Sequence, residues 1–290
     1  MTQSVPTGAG GGRSASSSDR IATLTHRGGQ LGLRTNRPQL TKAATIIASV
    51  VAGLAVWEVL GRFVITNPLF FVPFSTAIVK LWHLVVTGEL WPNLYVSSLE
   101  FGIGLGLSIV IGLTVGAVMA ANKVVDTILE PWVSAFYATP LVALTPFFVL
   151  AFGIGVASKV ALVFSLAVFP ILINARAGLL ATDASHLEMA RSFDAPRRRL
   201  YPEVLFPSAL PYILTGIRLA VGRALVAVVI GEIFFAQAGV GFLIALASQT
   251  FDLGTLFAGV IVFAVAGVLL TEGLKLLERR LAPWRSEHEP

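Results

Sequence analysis

Long stretches of this chain carry no charge, and that absence restricts its fold more than any residue present. Residues 101–121, 131–158 and 253–271 contain no Asp, Glu, Lys or Arg. Three further runs are nearly as apolar. They are 43–60, with Glu58 near its far end; 160–175, short and flanked by Lys159 and Arg176; and 209–235, which carries Arg218, Arg223 and Glu232. About 20 mostly apolar residues are needed to cross the hydrocarbon layer as a helix. Inside that layer every backbone amide must find a partner within the protein, so only helices or closed barrels can cross. Runs of this length without strict alternation read as helices. The expectation is an all-α polytopic membrane protein of about six transmembrane helices. Composition agrees: 13% of the 290 residues are charged, against about 25% in soluble domains. That is too few to coat a soluble core of this size.

The placement of Lys and Arg predicts orientation, because cytoplasmic loops are enriched in both. Sixteen of the 21 fall on one side of the expected topology. Six lie before the first span (Arg13, Arg20, Arg27, Arg34, Arg37, Lys42), and Lys123 follows the second. Arg176, Arg191, Arg197, Arg198 and Arg199 lie between the fourth and fifth spans, and Lys275, Arg279, Arg280 and Arg285 close the chain. Arg62, Lys80 and Lys159 fall on the other side. Both termini are therefore expected in the cytoplasm. This reading explains a pI near 9.9 without nucleic acid.

Other chemistries find little support. There is no cysteine, which excludes disulfides and thiolate ligands. His26, His83, His186 and His288 are far apart and show no metal-ligand spacing, so no metal site is expected. No catalytic order of Ser, His and Asp stands out. No G-x-x-x-x-G-K-[ST] stretch occurs, so the chain is not expected to be its own ATPase by that motif. Residues 1–40 have no apolar run of the kind a secretory leader needs. They read as a disordered cytoplasmic tail, with a transit peptide as the alternative for an Arg- and Ser-rich, acid-poor segment. Residues 64–93 contain Phe70, Phe71, Trp82 and Trp91, which suit an outer interface.

The segment 182–208 is longer than a connector requires. Ser185 and Glu188 have capping-box spacing, Leu187, Ala190 and Phe193 supply apolar faces, and Pro196 stops the first helical piece. A second short basic piece, 197–201, ends at Pro202 and Pro207. The pattern predicts two short helices with a sharp bend. An interfacial amphipathic hairpin lying on anionic lipid fits it equally well.

The residues Glu188-Met189-Ala190-Arg191-Ser192-Phe193-Asp194-Ala195, followed by Val204-Leu205-Phe206-Pro207, resemble the EAA loop of ABC importer permeases, with the same spacing throughout. Met189 stands where that loop has Ala, Asp194 where it has Gly, and Phe206 where it has Leu. Asp tolerates the left-handed backbone better than most residues, so the bend can persist. Tyr137-Ala138-Thr139-Pro140-Leu141, Phe152-Gly153-Ile154-Gly155, Gly216-Ile217-Arg218-Leu219-Ala220 and Gly239-Val240-Gly241 extend the likeness to the nitrate, sulfonate and taurine permease family.

The resemblance implies the MetI-like, type I importer permease fold over 41–281, with a short tail at 282–290. It implies an inner-membrane subunit that moves a small anionic solute by alternating access. Two copies of a separate ATPase would bind the ATP and Mg, with no cofactor in this chain. A periplasmic or lipid-anchored solute-binding protein and a second permease copy would complete the complex. Leu187, Glu188, Met189, Ala190, Arg191, Asp194, Ala195 and Pro207 would couple the ATPase to the spans. Thiamine-precursor-like and aromatic acid cargo stay open beside sulfonate, taurine and nitrate. A self-contained secondary carrier or channel remains the alternative.

Charged groups and prolines inside spans mark the remaining candidates. An ionised group facing lipid costs at least about 2.5 kcal/mol, so Arg218, Arg223 and Glu232 should face protein or water. Arg218, near the cytoplasmic interface, can also snorkel. Arg223 and Glu232 either pair to fix helix packing or line the solute route. Pro140 and Pro146 should kink the third span, either for packing or to shape a cavity wall. Asn174, after Pro170, is a further pathway candidate. The glycines of 101–121 are expected to allow close helix packing.

Overall fold

The structure is a computed structural model that describes residues 37–182 and 205–281. The chain divides into two compact units, 1–52 and 53–290. What is described of the first is the leading part of helix α1, Arg37–Val59. All that follows concerns the second unit, which begins within that helix.

After α1 come a single π-helical turn, Leu60–Val64, and then α2, Phe74–Val86. The long helix α3, Leu90–Ala121, leads into α4, Lys123–Ala138. A 3-10 turn, Leu141–Leu144, precedes α5, Thr145–Phe152. Then follow α6, Val156–Leu180; α7, Phe206–Phe235; α8, Val240–Gln249; and α9, Leu253–Leu281. No strand occurs among the described residues. Five helices are long and apolar enough to cross a membrane, and α4 with α5 makes a sixth if that bent pair is one span. The all-α polytopic architecture expected from the charge-free runs is the one observed.

The third run differs from expectation. It does not extend over 131–158 as one helix kinked at two prolines. The helix starts at Lys123, breaks after Ala138, resumes at Leu141 and ends at Phe152, with an 84° bend between the halves. Pro140 makes the break: it has no N–H to donate and pushes Thr139 into extended backbone at φ −73°, ψ 136°. Pro146 makes no kink. It lies in the first turn of α5, where a missing N–H costs nothing. Gly153, at φ +79°, ends α5, so Ser158 belongs to α6.

The core is the layer α3–α6–α7. Leu162, Val163, Leu166, Ala167 and Ile171 of α6 pack with Ala220, Ala224, Ala227 and Val228 of α7. On α3 the small residues Gly104, Ser108, Gly112 and Gly116 recur every fourth position and are all buried. A β-carbon on Gly104 would lie 2.5 Å from Val163, and one on Gly116 would lie 2.7 Å from the Leu172 carbonyl oxygen. These glycines set the distance between α3 and α6, as small residues do between membrane helices. Gly102 and Gly106 face open space.

The last turns of α1, which belong to the second unit, are tied to the elements after them. The Glu58 carboxylate accepts from both the Ser75 N–H and hydroxyl, each at 2.9 Å, and so caps α2 from outside. Trp57 donates to the Val72 carbonyl at 3.0 Å and sits edge-on to Phe74 and Phe257. The connection 64–93 is thus partly helical, with Phe70, Trp82 and Trp91 exposed.

Candidate functional site

The break at Pro140 opens a cavity of about 270 Å³ between the α4–α5 elbow, α6 and α7. Tyr137, Thr139, Pro140 and Phe169 form part of its wall, and Arg223 enters from α7. The Arg223 guanidinium lies 4.4 Å above the centre of the Tyr137 ring. Such a contact contributes about 0.5–2 kcal/mol, more as water is excluded, but it leaves the N–H donors of the guanidinium unused. Three other cations well inside the helices meet carboxylates: Arg176 meets Asp126, Arg218 meets Glu278 and Lys159 meets Glu100. Arg223 has no carboxylate partner among the described residues. Two larger cavities, of about 340 and 450 Å³, are lined without any charged side chain.

A second constellation lies where α6 begins and α7 ends. Glu100 of α3 and Glu232 of α7 are both 0% exposed, and Lys159 of α6 is 4% exposed. The Lys159 ammonium stands 2.6 Å from Glu100 Oε1. The Ser97 hydroxyl donates to Glu232 Oε1 at 2.6 Å, and the Gly241 N–H donates to Oε2 at 2.7 Å. The Val240 N–H donates to Ser97 Oγ at 2.9 Å, and the Gly239 N–H to Asn93 Oδ1 at 2.8 Å. The free amides at the start of α8, which lack intrahelical partners, are met by side chains of α3 and α7. A carboxylate there also suits the positive end of the helix dipole. Gly239 has φ +126°, and a β-carbon on it would lie 2.2 Å from Glu232 Oε1.

The structure brings together only part of the candidate set. Pro140 and Arg223 share the elbow cavity. Glu232 lies in the buried ion cluster instead, and Pro146 in the first turn of α5. Asn174 donates to the Pro170 carbonyl of its own helix at 2.8 Å, and its Cβ faces Gly216 of α7. Pro207 stands in the first turn of α7. Leu187, Glu188, Met189, Ala190, Arg191, Asp194 and Ala195 lie outside the described residues.

Lys159 is not the outer-loop cation that the charge count assumed, because it is buried against Glu100. Arg176 likewise lies inside α6, with its guanidinium on Asp126. Glu100, Lys159, Ser97 and Asn93 were not anticipated as a site. Glu100 and Lys159 each stand one residue before a charge-free run, so a rule that ends spans at charges places both outside. No group of three or more His, Cys, Asp or Glu suited to a metal occurs among the described residues.

Residues 108–283 match the family described as "Binding-protein-dependent transport system inner membrane component". The chain is 34% identical over 236 residues to a putative aliphatic sulfonates transport permease protein, SsuC, of Bacillus subtilis, covering 81% of this chain and 86% of that one. It is 32% identical over 255 residues to the taurine transport system permease protein TauC of Escherichia coli, covering 86% and 92%. In fold it is similar to a chain of the inward-facing MetNI methionine ABC transporter, with a TM-score of 0.59 at 17% identity, over 68% of this chain and 97% of that one.

Proposed function

The chain belongs to the family of binding-protein-dependent transport system inner membrane components, and on that premise we propose that it carries a small sulfonate-like oxyanion through the elbow cavity past Arg223. It is a multi-pass inner-membrane permease of an ABC importer, and it works with an ATPase and a binding protein. A self-contained carrier or channel, open on the sequence alone, does not fit a family that depends on such partners.

Arg223 carries the substrate reading. It is a span-embedded guanidinium at a helix break, with donors free for a ligand. A sulfonate or carboxylate can take two parallel N–H bonds from such a group, and the Tyr137 ring holds the cation when no ligand is present. The cargo classes named for the similar permeases, aliphatic sulfonates and taurine, are anions or carry an anionic group. The bend at Pro140 supplies a wall that can shift between inward- and outward-open states.

The rest of the reading concerns assembly. Both termini face the cytoplasm, and two copies of the chain form the pathway. The segment containing Leu187, Glu188, Met189, Ala190, Arg191, Asp194 and Ala195, ending at Pro207, docks on two ATPase subunits. Those subunits bind the ATP and Mg. This reading rests on the loop spacing and on the position of 183–204 between α6 and α7.

Uptake of a radiolabelled alkanesulfonate into proteoliposomes holding the whole importer tests the substrate assignment. Arg223→Ala is expected to abolish uptake while the ATPase still co-purifies, with Arg223→Lys retaining part of it. Unchanged uptake in Arg223→Ala would remove Arg223 from the route.

A further inference from the structure

Two carboxyls and one ammonium share the enclosed cluster between α3, α6, α7 and α8. If all were ionised, the site would hold one uncompensated negative charge. Leaving an ion uncompensated in the interior is strongly unfavourable, and such groups ordinarily neutralise instead. The titratable groups that face this site from those four helices, among the described residues, are Glu100, Lys159 and Glu232.

The contacts distribute unevenly. Each Glu232 oxygen already accepts a hydrogen bond, from Ser97 and from the Gly241 N–H, and the start of α8 favours a negative charge there. Glu100 has Lys159 on Oε1, while its Oε2 is buried and accepts from no donor. Ser97, which holds Glu232, precedes Glu100 by three residues on α3, and Lys159 stands both against Glu100 and beside Gly231, the neighbour of Glu232, so one enclosure holds both carboxyls. Two acceptor oxygens side by side repel, and one proton between them converts the contact into a hydrogen bond.

We propose that Glu100 Oε2 binds a single proton and donates it to Glu232, so that Glu100 is a neutral acid and Glu232 with Lys159 forms the ion pair. The cluster is then electrically neutral, and every polar atom of its two carboxyls has a partner. The proton makes α3, α6, α7 and the start of α8 one joined body. This site is separate from the Arg223 cavity and does not depend on the cargo assignment.

Infrared spectroscopy of the purified full-length importer at neutral pH, with ¹³C-labelled glutamate, reads the proton directly. The wild type is expected to show a protonated-carboxyl C=O band that moves with the label. That band should be absent in both Glu100→Gln and Glu232→Gln, since either variant leaves one carboxylate to balance Lys159. A spectrum in which Glu100→Gln loses no such band overturns the proposal. Stability supplies an independent readout. Glu100→Gln should melt close to wild type, because its amide donates to Glu232 where the acid did. Lys159→Met should lower the melting temperature and membrane yield, and adding Glu232→Gln should restore both. If Glu100→Gln is as damaging as Lys159→Met, Glu100 carries a charge and the proposal fails.

Discussion

Arg176 holds Asp126 through two contacts, Nε to Oδ1 at 2.5 Å and Nη2 to Oδ2 at 2.7 Å. The pair joins the first turn of α4 to the last turns of α6, where the chain enters the segment 183–204. The Nη2 contact is a charge-assisted hydrogen bond, about twice as strong as a neutral one, the Nε contact is an ion pair without a hydrogen bond, and both side chains are less than one-third exposed. Removing one partner leaves the other half-buried and unmatched. Asp126→Ala and Arg176→Ala should each lower the stability of the solubilised protein by roughly 1–3 kcal/mol. Exchanging the two residues should recover much of that loss. Melting curves of the three variants in one detergent decide it, and a swap no better than the single variants would count against a pairwise role.

Gly239 tolerates no side chain, for two independent reasons. Its φ of +126° is one that L-residues rarely adopt, and its missing β-carbon is the space occupied by the Glu232 carboxylate. Backbone strain of this kind costs about 1–3 kcal/mol, and overpacking of the same order adds to it. Gly239→Ala is therefore expected to lower the melting temperature markedly. Gly102→Ala, at a helix-interior glycine with nothing within 4 Å, should leave it unchanged or raise it slightly. Equal melting temperatures for the two variants would refute the geometry around Glu232.

Much of this architecture was legible because the signal for a membrane helix is length without charge, and lipid permits few answers to it. The spans at 43–60, 160–175, 209–235 and 253–271 all lie within observed helices. What escaped was where polar residues are hidden inside the protein. Helix α3 begins at Leu90 rather than 101, because Asn93 and Ser97 meet α8 and Glu232, and Glu100 meets Lys159, rather than lipid. Helix α4 begins at Lys123, because Asp126 finds Arg176 across the layer. A charge ends an apolar run in sequence but need not end a helix, and its partner lies 50 or more residues away. The elbow was half legible. Pro140 breaks the helix as its chemistry demands, whereas Pro146 falls in a first turn, which a proline count alone does not reveal. Arg223 stood out as a charge in a span, but its meeting with Tyr137 depends on the 84° bend.

Asp252 gives the fold a modest dependence on acid. Burial alone would push its carboxyl up, but donors from Lys80 and Thr255 outweigh this and hold it below the ordinary carboxylate range. A carboxyl held low in the folded state adds stability that is complete above its unfolded value, about 3.9. That stability is lost as pH falls through the folded value. Lys80 and Asp252 are 45% and 37% exposed, so solvent screens the pair and its contribution is under about 1 kcal/mol. Asp252→Asn keeps an acceptor for the Thr255 N–H while removing the charge. It should be slightly less stable than wild type at neutral pH and low salt. The difference should shrink in high salt and disappear in strong acid. A difference that stays constant from neutral pH into acid would mean that the carboxylate charge contributes nothing.

Tyr137 separates cation holding from hydrogen bonding at the elbow. Its ring face, not its hydroxyl, meets Arg223. Tyr137→Phe keeps that face and should transport like wild type. Tyr137→Leu removes it, so the guanidinium loses a contact of about 0.5–2 kcal/mol and is no longer held at the cavity in the unliganded state. Placing the guanidinium then falls to the anion, so half-saturation should rise by about 2- to 30-fold, the factor equivalent to that energy. ATPase co-purification should not change, because Tyr137 is not part of the segment assigned to ATPase docking. Uptake measured over a range of cargo concentrations distinguishes the cases. If Tyr137→Phe is as impaired as Tyr137→Leu, the hydroxyl rather than the ring serves the route, and Arg223 is held there by something other than the aromatic face.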